Sequence, residues 1–414
     1  MSLRPIAISL SPNTQRDDLI LALKSIVNIN SYQRGPYQNK VSGWFKKYFQ
    51  VKNVFLFNMG RSALFFLLKN INIGSGDEVI IQAFTCVAVT DPILWTGAKP
   101  VYIDVDKSLN IDPVLLEKSI SKKTKAIIVQ HTFGISAQII LIKKIAQKYN
   151  IFLIEDCAHS LGATYNGKKI GTFGDAALFS FGRDKVISSV FGGALIVNNR
   201  NSVSLNSVSE NYLKLSLPDK KWIFKQLFHP LAFFVILPLY NLQIGKLILF
   251  LLIKFKILSK PVEKLELSGF IPYNVPLKFP NALARLAYHQ LGKLYRYNNH
   301  RRKIAGIYFN NLKNFRTLRL PVRQNGAIYL RFNILTEQGE NIFRGLKNRN
   351  ILLGRWYSNV IDPYGVDLSK IGYNSGSAKN AENKAKQSIN LPTYPGLDIR
   401  QCLLIIKLIK NYAN

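Results

Sequence analysis

The chain has 414 residues, of which 48% are hydrophobic, so it can bury a large core and form two or three domains. Its three cysteines, Cys86, Cys157 and Cys402, show neither metal-ligand nor disulfide spacing, and no apolar leader follows Met1. We therefore expect a cytoplasmic protein without a metal. The net charge of +33 favours an anionic partner, unless it reflects a lysine bias of the whole genome. Because the basic residues are spread along the chain without a nucleic-acid-binding motif, we expect a phosphorylated substrate or an anionic membrane and no nucleic acid.

Short apolar runs alternate with longer mixed segments in the first half of the chain. Seven of these runs are predicted to be buried strands: Val54–Phe57, Glu78–Gln82, Pro100–Asp104, Lys125–Gln130, Ile151–Glu155, Ala176–Phe181 and Ala194–Val197. Helical patterns such as Val114–Ile120 and Ala137–Tyr149 lie between several of them. The alternation predicts an α/β fold with a mostly parallel sheet and helices on both faces. Ligands of such sheets bind beyond the carboxyl ends of the strands.

The segment from Tyr212 to Lys260 has a different composition. It contains two apolar runs, Leu231–Tyr240 and Leu247–Ile253, flanked by lysines, and no acidic residue lies between Asp219 and Glu263. Both runs are shorter than the roughly 20 residues that a membrane-spanning helix needs. We therefore predict that residues 212–262 are a basic, hydrophobic insertion whose part 222–260 lies in the interface of an anionic membrane. The alternative is a pair of helices packed on the protein or on a second copy.

The remaining residues read as a separate C-terminal domain. Asn281–Leu312 has the pattern of one long helix, and a last helix is predicted near Arg400–Tyr412. We therefore expect a large domain over residues 1–211, with an N-terminal arm of about 50 residues, and a small α+β domain over residues 263–414.

Three short segments carry residues suited to cofactor chemistry. Gly60, Arg61 and Ser62 follow a predicted strand and begin a helical pattern, where free backbone N–H groups and a hydroxyl suit a phosphate. An ordinary turn before a helix would look the same. Asp156 and His159 follow another strand, where a carboxylate could bind a metal, a ribose or a protonated ring nitrogen. The alternative is a helix cap at Asp156 and a packed imidazole at His159.

The third segment contains Ser180 and Lys185, after the predicted strand Ala176–Phe181. A lysine in a partly dry crevice near other cations loses its proton more easily and becomes a nucleophile. Most lysines are solvated surface groups, so a functional interpretation of Lys185 depends on the presence of the other two segments in the same sequence.

In order and spacing, the three segments resemble the DegT/StrS family of pyridoxal-phosphate-dependent sugar aminotransferases. The resemblance covers residues 35–198 and 272 to the C-terminus, including Gly74–Ile80, Gly97–Pro100, His131–Gly134 and Ile389–Pro392. It implies a fold-type-I transferase, with a large domain of mostly parallel mixed sheet flanked by helices and a smaller C-terminal α+β domain.

The resemblance also implies a role for each residue. Lys185 matches the lysine that carries the pyridoxal 5'-phosphate as a Schiff base and then acts as general base. Asp156 matches the partner of the pyridine nitrogen, and His159 a residue beside the ring hydroxyl. The residues that match the phosphate site are Gly60, Arg61, Ser62 and Ser180.

Three features depart from the family pattern. Cys86 stands where many members place an aromatic side chain on the cofactor ring. Lys278 stands where an arginine reaches the cofactor phosphate of the other subunit, so only a point charge is kept. The third departure is the insertion, residues 212–262.

The activity implied by the resemblance is transfer of an amino group from an amino acid, by analogy glutamate, to a keto sugar linked to a nucleotide. Such a reaction belongs to surface polysaccharide or amino-sugar biosynthesis, and the site implies a homodimer. Two alternatives are a pyridoxal-phosphate-dependent sugar dehydratase or deoxygenase, and a non-catalytic membrane-associated protein on the same fold. Dehydrating members can carry His in place of the lysine, so Lys185 favours amino transfer.

Overall fold

A computed structural model describes residues 4–198 and 204–413. The α-helices of these residues are α1 Arg16–Ile26, α2 Tyr37–Phe49, α3 Gly60–Asn70, α4 Val87–Leu94, α5 Pro113–Lys118, α6 Ile139–Lys148, α7 Leu205–Lys214, α8 Lys220–Ile236, α9 Ile244–Lys254, α10 Asn281–Leu291, α11 Leu294–Leu312, α12 Gly339–Asn348, α13 Lys379–Gln387 and α14 Ile399–Tyr412. The strands are β1 Ile6–Ala7, β2 Asn53–Phe57, β3 Glu78–Gln82, β4 Thr85–Cys86, β5 Lys99–Ile103, β6 Thr124–Gln130, β7 Phe152–Asp156, β8 Thr164–Tyr165, β9 Lys168–Lys169, β10 Ala176–Ser180, β11 Gly193–Val197, β12 Phe332–Leu335, β13 Ile351–Leu352, β14 Ile361–Asp362 and β15 Ser388–Leu391.

The seven predicted strands form the central sheet, in the order β2-β11-β10-β7-β6-β3-β5. Only β11 runs antiparallel to its neighbours, and the five strands from β10 to β5 are parallel. Side chains of β6 alternate between two cores: Ile127 and Val129 pack on one face, Ala126 and Ile128 on the other. Since both faces are covered, most side chains of the strands are apolar, and Glu155 and Asp156 stand at the carboxyl end of β7. The predicted mostly parallel α/β sheet is confirmed.

The prediction of one continuous helix over Asn281–Leu312 is wrong, because the chain forms two helices here, with a break at Gly292–Lys293. Lys293 precedes α11 as its N-cap residue, with φ −97° and ψ −5°. Its ammonium reaches α1, where it lies 2.6 Å from an Asp17 carboxylate oxygen and 3.1 Å from Asp18 Oδ1. The break therefore ties the C-terminal helices to the N-terminal arm.

The N-terminal arm contacts both halves of the chain. Strand β1 pairs in parallel with β13 of the C-terminal part, while α1 packs against α8 and α10. The arm thus bridges the elements that we assign to different domains. The boundaries at residues 211 and 262 remain a prediction.

The insertion forms two helices that differ in burial. Helix α8 buries Trp222, Ile223, Leu227 and Ile236. In α9 only Gly245 is buried. Within the described residues, no helix combines the length and apolar character that crossing a membrane requires. Helix α8 therefore packs on the protein, as the alternative to membrane contact predicts. The outer side of α9 does not.

Helix α4 contains a fully buried carboxyl group, that of Asp91. Neither of its oxygens has a hydrogen-bond partner among the described residues. Burial raises the pKa of Asp91 to about 8, and the positive charge of Arg61 opposes this rise only in part. The folded protein therefore favours the protonated acid at neutral pH.

We expect Asp91→Asn to change how stability depends on pH. Between 3.8, the usual pKa of the group, and about 8, the native state binds more protons than the unfolded chain, so this group's contribution to stability falls as pH rises. The neutral amide lacks this loss. Thermal unfolding midpoints should therefore favour the variant more at pH 8 than at pH 5.

The exposed Glu210 provides a matched control. Glu210→Gln should follow the wild-type dependence on pH. An Asp91→Asn effect of equal size at pH 5 and pH 8 would contradict the assignment of a raised pKa.

Candidate active site

Lys185 and His159 come together beyond the carboxyl ends of two adjacent parallel strands. Strand β7 pairs with β10 so that Asp156 lies opposite Leu178. The segment after β7 carries His159, and the segment after β10 carries Lys185. Lys185 Nζ lies 2.9 Å from His159 Nε2, so the edge of the sheet brings together two of the predicted site residues.

The hydrogen bonds of His159 indicate the protonation state of this pair. The backbone N–H of Phe133 donates to His159 Nδ1 at 3.3 Å. Burial lowers the pKa of His159 well below its usual value, so the ring is neutral and carries its proton on Nε2. With the proton on Nε2, the ring donates to Lys185 Nζ, and this arrangement favours the amine form of the lysine. Burial also lowers the pKa of Lys185, which agrees with this assignment.

Aromatic rings enclose this pair. The His159 ring is stacked on Phe133 at 5.8 Å between centroids and on Trp356 at 5.3 Å. Lys185 Nζ lies 4.7 Å from the centroid of the Trp356 ring. The rings keep bulk water from much of the lysine, and this desolvation favours the neutral amine.

Asp156 and Glu155 are adjacent carboxylates with separate surroundings. Asp156 Oδ1 accepts from the backbone N–H of Ala158 at 2.9 Å, and burial raises the pKa of Asp156 while Lys185 opposes the rise. Glu155 accepts from three backbone N–H groups, at 2.7 to 2.9 Å, and contacts His131 Nε2 at 3.2 Å. Because Glu155 is saturated, we assign it to the structure of the loop and Asp156 to the site.

His131, Glu155 and Cys157 lie close enough for their ligand atoms to share a cation. However, the backbone N–H of Ala137 donates to His131 Nδ1 at 3.2 Å, so Nε2 carries the proton and donates to Glu155. These groups therefore satisfy one another.

Helix α3 begins beside the end of β10. Its N-cap residue, Met59, makes no side-chain cap, so the first N–H groups of the helix lack a side-chain acceptor. A Cβ atom on Gly60 would lie 3.2 Å from Ser180 Cβ, so glycine permits the close approach of these two elements. Ser62 Oγ donates to Asn58 Oδ1 at 2.8 Å. The helix start and the Ser180 hydroxyl together form a cradle that suits a phosphate.

The two predicted cations, Arg61 and Lys278, are engaged within the chain. The Arg61 guanidinium forms an ion pair with Glu266 and donates to the carbonyl of Pro261, both in the segment that follows α9. Lys278 Nζ donates to the carbonyl of Leu213 at 2.7 Å. A contact of either side chain with the cofactor phosphate therefore stays a prediction. Such a contact would have to compete with the Glu266, Pro261 and Leu213 acceptors.

Arg331 is a buried cation near Lys185 that the sequence analysis missed. Its guanidinium lies 3.4 Å from the centroid of Trp356, 3.9 Å from Asp184 Oδ2 and 3.3 Å from Asn390 Oδ1. Arg331 Nη2 and Asp184 Oδ1 have no hydrogen-bond partner in the described structure. Burial raises the pKa of Asp184 to about 6 and lowers that of Arg331 to about 10. The sequence signal was a lone arginine inside the apolar stretch 327–334.

The expected ring-stacking position is occupied by Cys86 at the start of α4. Burial raises the pKa of its thiol to about 11, and the negative charge of Asp362 adds to this rise. The thiol is thus neutral at physiological pH and is no nucleophile. The aromatic surface next to Lys185 comes instead from Trp356, in the C-terminal part of the chain.

Asn13 and Arg301 support the backbone of Lys185. Asn13 Nδ2 donates to the carbonyl of Lys185 at 2.7 Å, and Arg301 Nη2 donates to the carbonyl of Val186 at 2.8 Å. Arg301 Nη2 also donates to Asn13 Oδ1 at 3.0 Å. Burial lowers the pKa of Arg301 to about 9. These two side chains, from the N-terminal arm and α11, were also missed because nothing in the sequence relates them to Lys185.

We expect Asn13→Ala to loosen the Lys185 segment. It leaves the Lys185 carbonyl without its side-chain donor and removes an acceptor from the buried Arg301 guanidinium, at a cost of about 1–3 kcal/mol. The urea midpoint should fall, and affinity for added cofactor should fall with it. Asn311→Ala, on the exposed side of α11, is the control and should change neither. A wild-type urea midpoint for Asn13→Ala would refute the supporting role.

Comparison with known proteins gives relatives along the whole chain. A pleiotropic regulatory protein of Geobacillus stearothermophilus is 26% identical over 402 residues, 96% of this chain and 95% of the relative. GDP-perosamine synthase of Escherichia coli O157:H7 is 26% identical over 382 residues, 92% and 91% of the two chains. A dTDP-3-amino-3,6-dideoxy-alpha-D-galactopyranose transaminase of Aneurinibacillus thermoaerophilus is 41% identical over 155 residues, 37% and 43%.

Solved structures share the fold. DesV of S. venezuelae superposes with a TM-score of 0.75 at 22% identity, over 99% of both chains. PseC of Helicobacter pylori, an aminotransferase involved in the biosynthesis of pseudoaminic acid, superposes with a TM-score of 0.74 at 22% identity, also over 99% of both.

The family profile matches most of the chain. It covers residues 13–211 and 265–410, and the unmatched stretch between them contains α8 and α9. The predicted fold type I, aminotransferase class and pyridoxal 5'-phosphate cofactor are confirmed. The chain belongs to the DegT/DnrJ/EryC1/StrS aminotransferase family.

Proposed function

We propose that the protein transfers an amino group from an amino acid, by analogy glutamate, to a keto sugar linked to a nucleotide. The observation that carries the proposal is the position of the Lys185 amine, 2.9 Å from His159 Nε2 and beside the buried Asp156, where burial lowers the pKa of the lysine. The names of relatives support the substrate class, since they include a GDP-perosamine synthase and a dTDP-amino-sugar transaminase. Such sugars enter surface polysaccharides and other amino-sugar products.

The residues present fit pyridoxal 5'-phosphate. The start of α3, from Gly60 to Ser62, and the Ser180 hydroxyl form a cradle for the phosphate. Asp156 can bind the protonated ring nitrogen, because a buried carboxylate with a raised pKa gains most from a cationic partner. His159 would lie beside the ring hydroxyl, and Lys185 supplies the amine for attachment. When bound, the ring acts as an electron sink for a carbanion.

The side chains then divide the proton chemistry. The neutral Lys185 amine accepts the α-proton of the amino acid, and can return a proton from the same position. His159 orients that amine through its Nε2–H. Burial raises the pKa of Asp156, so its ionised form gains from a cationic neighbour such as the ring nitrogen. Trp356 and Phe133 exclude water from these groups.

Charge supports the choice of a nucleotide-linked acceptor. The chain has 56 basic and 23 acidic residues, and a positive field raises the local concentration of an anionic diphosphate. Near Lys185, Arg331 Nη2 has no hydrogen-bond partner among the described residues, and it can donate to an anionic group of either substrate.

A sugar dehydratase or deoxygenase is the alternative within the family. Lys185 favours amino transfer, because it can move the proton that transamination requires. The regulatory name of the Geobacillus stearothermophilus relative is the remaining reason to weigh a non-catalytic protein. Against it stands the site itself, where Lys185, His159 and Asp156 are all desolvated and closely placed.

The proposal includes a homodimer and a position in the cytoplasm, at the inner face of a membrane. The partly exposed Lys278, beside Tyr212 at the end of β2, would supply a charge to the phosphate of the partner's cofactor. The exposed apolar side of α9 supports the membrane position.

Replacing Lys185 tests the proposed chemistry. Lys185→Ala should remove the visible absorption band of the lysine-bound cofactor, which borohydride bleaches in the wild type, and should abolish amino transfer. The exposed Lys168→Ala is the control and should keep both. Amino transfer that survives in Lys185→Ala would refute the mechanism.

Light scattering tests the dimer. The purified protein should have twice the mass of one chain, and Lys278→Ala should keep that mass while binding the cofactor about tenfold more weakly, as expected for a lost charged hydrogen bond. The exposed Lys122→Ala should bind the cofactor as the wild type does. A monomer with full activity would contradict the role of Lys278 across subunits.

A further inference from the structure

Helix α9 carries an exposed apolar surface. Leu247 and Phe250 are each 58% exposed, and Phe255, directly after the helix, is 67% exposed. Together with the exposed Leu242, Ile244 and Leu251, we call these side chains the α9 face. A contiguous apolar surface of this kind marks a binding site on proteins that are otherwise polar outside.

The opposite side of α9 is fixed to the protein. A Cβ atom on Gly245 would lie 2.4 Å from the backbone oxygen of Ile236, so glycine lets α9 lie directly on the end of α8. Helix α8 in turn buries Trp222 and Leu227 against the body of the molecule. The α9 face is therefore presented outward by a supported helix, and it has no covering element within the described residues.

Charge around the α9 face has one sign. Lys246, Lys254 and Lys256 are exposed, and no acidic residue lies between Asp219 and Glu263. Lys246 Nζ lies 5.3 Å from the Tyr240 ring and Lys254 Nζ lies 5.9 Å from the Phe250 ring, so aliphatic stems follow the apolar surface while ammonium groups stay at its rim. Apolar side chains bordered by lysines match the layers of an anionic bilayer, acyl chains below phosphates.

We propose that the α9 face inserts into the interface of an anionic phospholipid bilayer. The inference rests on the membrane contact of the proposed function and names the side chains that make this contact. It does not depend on amino transfer. Helix α9 lies in the plane of the interface, with Leu247, Phe250 and Phe255 among the acyl chains and the three lysines at the phosphates. The partner is a lipid surface and not a second copy, because two such faces would bring six lysines together.

The end of the insertion joins this surface to the catalytic site. The carbonyl of Ser259 accepts from Arg183 Nη2 at 2.6 Å, two residues before Lys185. Arg61, in the first turn of α3, is bound to the carbonyl of Pro261 and to Glu266. The bilayer-binding helix and the Lys185 site are thus parts of one bonded structure.

Vesicle flotation of the full chain tests the inference. The wild type should float with vesicles of equal parts phosphatidylcholine and phosphatidylglycerol, and should stay at the bottom with phosphatidylcholine alone. The combined variant Leu247→Asn, Phe250→Asn and Phe255→Asn should lose flotation. A matched control replaces exposed apolar residues of α5, α6 and α14: Val114→Asn, Leu141→Asn and Leu404→Asn. It should float as the wild type does.

The lysines are tested in the same assay. Lys246→Gln, Lys254→Gln and Lys256→Gln together should weaken partition onto the anionic vesicles about 100-fold, from about fivefold for each charge at the surface. Raising the salt concentration should weaken the partition of the wild type more than that of this variant. Equal partition of wild type and lysine variant would overturn the role of the charges.

Two outcomes would overturn the inference. One is failure of the wild type to float with anionic vesicles. The other is an oligomer in vesicle-free solution that the α9 asparagine variant dissociates, which would assign the face to protein contact. The borohydride-sensitive visible band, recorded in the same samples, separates this result from the proposed function, because the cofactor can be bound whether or not the protein floats.

Discussion

The parallel register between β7 and β10 is the constraint on which the site depends. Asp156 lies opposite Leu178, so the segments that follow the two strands leave the sheet at the same edge. One segment then supplies His159 and the other Lys185, whose nitrogens meet at 2.9 Å. A shift by one residue would turn Glu155 toward the site in place of Asp156, because successive strand side chains point to opposite faces.

Desolvation gives this edge its chemistry. Burial favours the uncharged forms of Lys185 and His159 and makes the ionised form of Asp156 costly. The site therefore favours a ligand that brings its own charges. A cationic ring nitrogen would satisfy Asp156, and an anionic phosphate would satisfy the uncapped start of α3. Asp156 and the N–H groups at the start of α3, which lack partners of opposite charge when alone, are both satisfied when the two ends of one cofactor are bound.

Much of this arrangement could be predicted from the sequence, because local patterns carry it. The seven strands are predicted by apolar runs. The ends of two of these runs also predict that Asp156, Ser180 and Lys185 lie at the carboxyl edge of the sheet. The partners of Arg61 could not be predicted, since Glu266 lies 205 positions away. Nor could Trp356, Arg331 and Arg301, which reach Lys185 through tertiary packing alone. Nor does any local pattern indicate the contact of Lys293 with two aspartates of α1, which are equally remote in sequence.

The bonds of Arg61 and Arg183 to the segment after α9 have a consequence for the history of this chain. Residues outside the family match usually behave as accessories that can be gained or lost without cost. Here the end of the insertion supplies carbonyl acceptors for two arginines of the matched region: Pro261 for Arg61, in the first turn of α3, and Ser259 for Arg183, in the segment that carries Lys185. A descendant that discarded the insertion would leave each guanidinium without one of its acceptors, although Arg61 would keep its ion pair with Glu266. Loss of the segment would therefore be least costly together with replacement of Arg183, which makes the insertion a trait that is hard to reverse.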